Sequence, residues 1–123
     1  MIAAPSRGIL VVLALSACAT DPYRLDSDRS AAGVELLPYA LHEECVALER
    51  GERVGFYFVS AAPVAFNVHY HDANAVIMPI VRENATREAD EFTADRKEIY
   101  CLTWEAGAQG SILEYRIRPL PSR

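Results

Sequence analysis

Hydrophobic and polar residues alternate with a period of two along most of the chain after residue 33. Successive side chains of a β-strand point to opposite faces, so this alternation predicts strands with one buried face. The runs recur roughly every ten residues between Gly, Pro, Asn or Asp, and no window has a helical period with capping residues. The predicted strands are 34–41, 43–49, 53–59, 64–71, 75–81, 90–94, 98–105 and 111–118.

The alternation also predicts which side chains form the core. In four of the runs, 43–49, 64–71, 98–105 and 111–118, the larger apolar residues share one parity and polar or smaller residues share the other. The run 75–81 is apolar throughout, which is compatible with burial on both faces, although Pro79 argues against a fully hydrogen-bonded central position. The predicted core includes Phe66, Val68, Tyr70, Tyr100, Leu102, Trp104, Leu113, Tyr115 and Ile117.

Regularly spaced strands without helices predict an all-β fold over residues 34–123. We expect an antiparallel β-sandwich or a jelly-roll-like body of about seven to eight strands. Aromatic residues are numerous on these strands, and an exposed set of them could bind a sugar or a peptide. The core parity of four of them, Tyr70, Tyr100, Trp104 and Tyr115, favours packing instead.

The first seventeen residues have the pattern of an export signal. Arg7 precedes the apolar run 8–15, which is too short to span a bilayer, since that requires about 20 residues. The residues 15–18, Leu-Ser-Ala-Cys, resemble the lipobox of bacterial lipoproteins. The resemblance implies removal of residues 1–17 and acylation of Cys18, for example with palmitate. An ordinary signal peptide with a coincidental cysteine is the alternative.

Residues 18–33 are polar and lack periodicity, so we interpret them as the lipidated N-terminus and a tether. Removal of residues 1–17 takes away Arg7 and no acidic residue, which changes the formal net charge from −5 to −6. An acidic body disfavours nucleic acid and anionic headgroups as partners, so the lipid must attach the protein to the membrane. Ala19 stands where an Asp would resemble an inner-membrane retention signal, which favours the outer membrane, facing the periplasm.

The three cysteines support the same interpretation. An odd number of cysteines in an exported protein requires an explanation, and lipidation of Cys18 leaves Cys45 and Cys101 as a pair. An oxidising compartment permits a disulfide between them. Both lie off the larger apolar face of their strands, so they could pair if those strands are neighbours.

Strand motifs follow one another over residues 44–118: Glu44-Cys45, Gly51, Val54, Phe56-Tyr57-Phe58, Phe66 to Tyr70, Tyr100 to Glu105, Ser111 and Leu113 to Ile117. Their order resembles that of GOLD domains. These are β-sandwich modules of p24-type trafficking proteins and of certain lipid-transfer proteins. The resemblance implies a protein-interaction module without a common catalytic set, and a disulfide near the two ends of the domain, which Cys45 and Cys101 match. Ala106 stands where family members usually have Asn after the Trp-acid pair.

A His-x-His pair provides the candidate metal site. His69 and His71 point to the same side of a strand, roughly 6.5–7 Å apart, and two imidazoles at that spacing can share Cu²⁺ or Zn²⁺. Asp72 and His42 are candidates for the third ligand. The alternative is a polar surface or a pair of histidines that stabilise a hairpin.

No nucleophile elbow, zinc-protease helix, P-loop or dinucleotide fingerprint occurs in the sequence, which disfavours an enzyme and a dedicated cofactor. Two functions remain. The first is a membrane-anchored envelope lipoprotein that acts as a non-catalytic interaction module for an envelope protein. The second is a periplasmic copper- or zinc-binding lipoprotein that uses His69 and His71.

Overall fold

The computed structural model describes residues 2–5, 8–14 and 21–123. The lipobox residues 15–18, including Cys18, lie outside the described residues. No helix within the described ranges is both long and apolar enough to cross a membrane. The described residues form six strands, which are β1 (Arg29–Leu36), β2 (Leu41–Leu48), β3 (Arg53–His71), β4 (Val76–Thr93), β5 (Glu98–Ala106) and β6 (Ser111–Leu120).

All six strands belong to one antiparallel sheet, so the predicted all-β class is confirmed. The order is β1-β6-β3-β5-β2, and β4 pairs with β3 along the other edge of that strand. The first half of β3 pairs with β6 through residues 53–60, and its second half pairs with β5 through residues 64–69. The long β3–β4 hairpin is therefore shared by both halves of the sheet.

The sheet curls into an open half-barrel because β3 bends between Val59 and Val64, where its register with β4 shifts. The hydroxyl of Ser60 lies 2.6 Å from the carbonyl oxygen of Ala62 and 2.6 Å from the hydroxyl of Ser111, which satisfies polar groups at the bend. The bend turns the inner faces of the two halves toward each other.

The core fills the space between these faces. Phe58 from the first half of β3 contacts Phe66 from the second half, with ring centroids 4.9 Å apart. Trp104 on β5 stacks on Tyr115 of β6 at 4.8 Å. All nine predicted core residues are buried, including the four aromatic residues whose parity predicted packing.

Six strands are present in residues 21–123, rather than the seven to eight predicted. The runs 53–59 and 64–71 are both parts of β3, because the intervening segment bends without ending the strand. The runs 75–81 and 90–94 are both parts of β4. The strand β1 begins at Arg29, so residues 29–33 of the predicted tether lie in the sheet.

The run 75–81 is not buried on both faces, and its position agrees with the argument from Pro79 against a central strand. Within residues 21–123, β4 pairs with β3 alone, which places this run at the edge of the sheet. Val76, Met78 and Val81 are each about half exposed.

Candidate functional site

A polar cluster lies on the convex face of the sheet, opposite the core. Two rows of residues cross β2, β5 and β3 in register there. One row aligns Cys45 with Cys101 and Cys101 with His69, and the adjacent row aligns Glu43 with Thr103 and Thr103 with Asn67. We refer to these six residues, Glu43, Cys45, Asn67, His69, Cys101 and Thr103, as the outer-face cluster.

The predicted disulfide is confirmed. The sulfur atoms of Cys45 and Cys101 are 2.03 Å apart, and the bridge joins residues separated by 56 positions. The two cysteines are directly opposite each other on β2 and β5. Cys101 is buried, whereas Cys45 is partly exposed.

His69 is held in a defined orientation. Its Nδ1 lies 2.7 Å from the side-chain oxygen of Asn67, and its Nε2 lies 3.8 Å from Oε2 of Glu43. Thr103 donates its hydroxyl proton to the same oxygen of Glu43 over 3.0 Å. An amide oxygen only accepts, so Nδ1 carries the proton and Nε2 is the free ring nitrogen.

Burial lowers the pKa of His69 below its ordinary value, with a smaller lowering from His71 and an opposing effect from Glu43. The neutral ring then directs the lone pair of Nε2 toward a carboxylate oxygen. A proton or a cation between these two acceptors would relieve their repulsion. Ligand bonds of about 2.0–2.2 Å to zinc put tetrahedral N and O ligands roughly 3.4 Å apart. The observed separation of 3.8 Å needs only a small side-chain adjustment to reach that value.

A third ligand type lies beside these two. Ligand atoms of Glu43, His69 and Cys101 all lie within 4.8 Å of one another. In the disulfide, however, the Cys101 sulfur is not a thiolate, which is the form that binds metal. His71 extends the cluster on the same side, with its ring centroid 5.2 Å from that of His69.

The two candidate third ligands from the sequence lie elsewhere. His42 is on the inner side of β2, where its Nε2 is 3.1 Å from the hydroxyl of Tyr115. Asp72 is in the β3–β4 turn, where its carboxylate accepts from the backbone of Ala73 and lies 3.8 Å from Arg96. The potential ligand that lies beside His69 is Glu43 instead. Its parity with Cys45, two residues later on the same strand, is the sequence signal that could have identified it.

His42 belongs to a separate network that joins the outermost strands of the path. Arg29 on β1 donates to Glu44 on β2 over 3.1 Å and to the carbonyl oxygen of Cys45 over 2.9 Å. The hydroxyl of Tyr115 donates to Glu44 over 2.6 Å, and burial, with this carboxylate, raises the pKa of Tyr115. These contacts hold β1 against β2, so their role is structural.

Exposed apolar side chains gather at the β1–β2 turn. Leu37, Tyr39 and Leu41 are 64–67% exposed, and Ile112 on the neighbouring β6 is 56% exposed. We refer to these four residues as the apolar tip. Tyr39 has a φ of 60°, which is uncommon for a residue with a side chain, and its backbone amide donates to Gly107 over 3.2 Å. The turn is thus fixed while its apolar side chains face solvent.

Comparison of the chain with models of protein families gives no match. Comparison with curated proteins also gives no match.

Proposed function

We propose that the protein is a membrane-anchored bacterial envelope lipoprotein whose β-domain is a non-catalytic interaction module for another envelope protein. The observation that carries this proposal is the apolar tip at one end of β2, remote from the N-terminal segment. Large exposed apolar patches on folded domains are typical of protein-binding sites, and the tip has four exposed apolar side chains. Its partner would be an envelope protein with a complementary apolar surface.

The N-terminal segment packs at the other end of β2. The amide of Ala47 donates to the carbonyl oxygen of Tyr23 over 2.7 Å, and the backbones of Arg24 and Ala47 form an isolated parallel β-bridge. Leu41 lies six residues earlier on the strand, which is roughly 20 Å away at a strand rise of about 3.3 Å per residue. A chain attached to the membrane through lipid on Cys18 would therefore present the tip away from the anchor.

The apolar run near the N-terminus supports export and processing. Side chains 9–13 are all at least 74% exposed, so this run contributes nothing to the core. That is the behaviour expected of a signal sequence that is removed. The Leu-Ser-Ala-Cys motif at 15–18 supports Cys18 as the acylated residue, and Ala19 supports the outer membrane, on its periplasmic side.

Two facing halves of an antiparallel sheet also support a GOLD-like sandwich. In this interpretation, the bend in β3 makes one continuous strand serve both layers. The disulfide placement and the aromatic core agree with the motifs that carry the resemblance. Such modules bind proteins, which agrees with a role for the tip.

Capture from detergent-solubilised native membranes tests the interaction. We expect the tagged full-length chain to retain a partner, and Leu37→Ser/Tyr39→Ser to reduce its recovery at least about tenfold, which corresponds to about 1.4 kcal/mol. Val76→Ser/Ile77→Ser, which removes two exposed apolar side chains at the β4 edge, is the control and should leave recovery unchanged. Cys18→Ser should release the protein from the membrane fraction. Equal recovery with the tip variant, or no partner above background, would contradict the proposal.

Metal binding is the second candidate function, favoured by the distance of 3.8 Å between Nε2 of His69 and Oε2 of Glu43. We expect the oxidised full-length chain carrying Cys18→Ser to bind Zn²⁺ or Cu²⁺ in the micromolar range in calorimetry. His69→Ala/His71→Ala should abolish this binding because it removes both imidazoles, and Glu43→Gln should weaken it. His42→Ala is the matched control and should bind normally. Unchanged binding in the double variant would rule out the site.

A further inference from the structure

We propose that the Cys45–Cys101 disulfide is a redox gate on the metal site, and that its reduction creates a thiolate site for Zn²⁺ or Cu⁺ from Glu43, Cys45, His69 and Cys101. This inference rests on the metal-binding function proposed above and deepens it. In the oxidised protein, only nitrogen and oxygen ligands are available. In the reduced protein, two thiolates join them.

The register of the sheet places the four ligands together. Cys101 on the central β5 has Cys45 opposite it on β2 and His69 opposite it on β3. Glu43 lies two residues before Cys45 and therefore on the same face. The ligand atoms of Glu43, His69 and Cys101 are already within 4.8 Å of one another while the bridge is closed. Rigid strands, rather than loops, position this set.

The cluster has the supporting contacts that metal ligands need. Metal-binding histidines usually donate their other ring N–H to an oxygen, and Asn67 supplies that oxygen to His69 at 2.7 Å. Thr103 orients the carboxylate of Glu43 in the same way. His69 and Cys101 are 8% and 6% exposed, whereas Glu43 is exposed. The site is thus buried on one side and open to entry on the other.

Cys45 is the more exposed of the two cysteines, so a reductant reaches its sulfur first. The thiolate of an external dithiol reductant attacks Sγ of Cys45, and Cys101 leaves as a thiolate beside His69. The second thiol of the reductant then displaces Cys45. The reductant becomes a disulfide, and its two electrons and two protons convert the bridge to two thiols. Metal binding displaces the protons of both thiols, and thiolate with imidazole is a ligand set that Zn²⁺ and Cu⁺ prefer.

Zinc and cobalt titrations of the full-length chain carrying Cys18→Ser test the gate, since this background removes the third thiol. A phosphine reductant opens the bridge without adding a competing thiol. We expect Zn²⁺ to bind the reduced form at least about 100-fold more tightly than the oxidised form. Co²⁺ should show a thiolate-to-metal charge-transfer band in the reduced form alone.

Single variants identify the ligands. Cys101→Ser should lose most of the charge-transfer band, and His69→Ala should weaken the reduced site. Cys45→Ser should keep a weaker band, because Glu43, His69 and Cys101 remain. His42→Ala, on the opposite face, should match the parent protein. An unchanged cobalt spectrum in both Cys101→Ser and His69→Ala would overturn the assignment.

Folding is monitored in the same samples through the near-UV circular dichroism of Trp104, the single tryptophan of the chain. If reduction abolishes this signal, Zn²⁺ must restore it, and failure to do so would overturn the proposal. Equal affinity in both redox forms would also overturn the gate, while zinc binding by the oxidised form would still support the second candidate function. Binding by the reduced form alone would support a thiolate site and contradict the oxidised site.

Discussion

Replacing Cys45 and Cys101 by alanine is expected to lower the free energy of unfolding by about 4 kcal/mol. The bridge joins residues separated by 56 positions, and closing a loop of that length removes about this much conformational freedom from the unfolded chain. It also fixes β2, which ends the path of the sheet and pairs with β5 alone among the strands of residues 21–123. A loss of this size is a large part of the stability of a typical small domain.

Denaturant unfolding of the full-length chain, monitored by far-UV circular dichroism, measures this loss. Reduced parent protein with a chelator is the control and should have the same midpoint as the double alanine variant. Zn²⁺ without the chelator should then stabilise the reduced parent more than the variant, because ligand binding to the native state adds to stability and only the parent has the thiolates. A change below about 1 kcal/mol would show that the unfolded chain gains little freedom without the bridge.

Alternation identified the strands and the core because side-chain parity is a local property. Phe66, Tyr100 and Trp104 are buried as their parity predicts. The bend of β3 was not predictable in this way, since Ser60 and Pro63 have the composition of a turn between two strands. The hydroxyl contact of Ser60 with Ser111 on β6 satisfies polar groups where the strand bends. That contact joins residues far apart in sequence, so it cannot be inferred from the local pattern.

The middle of β4, residues 82–89, was missed for a related reason. Most residues between Arg82 and Ala89 are polar, and this part of the strand is largely exposed on both faces, so no apolar period marks it. Asn84 interrupts it with a φ of 57°. Its pairing with the buried β3 defines it as a strand, and this is tertiary information.

The outer-face cluster was predicted only in part. Parity placed Cys45, Cys101 and His69 off the core, and cysteine counting predicted the bridge. The strand order β2-β5-β3, which brings Glu43 to His69, depends on the curl of the whole sheet. The carboxylate beside His69 therefore comes from Glu43, 26 positions away in sequence, and not from the sequence neighbour Asp72.

Trp104→Ala is expected to destabilise the protein by about 3–5 kcal/mol, the range for large-to-small changes in a packed core. Trp104 is fully buried and contacts both halves of the sheet, with ring centroids 5.4 Å from Phe66 and 4.8 Å from Tyr115. The substitution would leave a cavity in the space between the two inner faces, which the indole ring now fills. The surrounding residues cannot move far into the cavity, because β5 and β6 are both hydrogen-bonded to β3.

Trp104→Phe is the matched variant. Among the described residues, the indole Nε1 of Trp104 is buried without a hydrogen-bond partner, so its removal sacrifices no hydrogen bond. We expect a cost of about half that of alanine or less, because the phenyl ring retains most of the apolar volume. Far-UV circular dichroism in denaturant measures both variants without depending on tryptophan fluorescence. Equal costs for the two would show that this side chain contributes through its indole N–H, for example to a bound water, rather than by filling the space between the two halves.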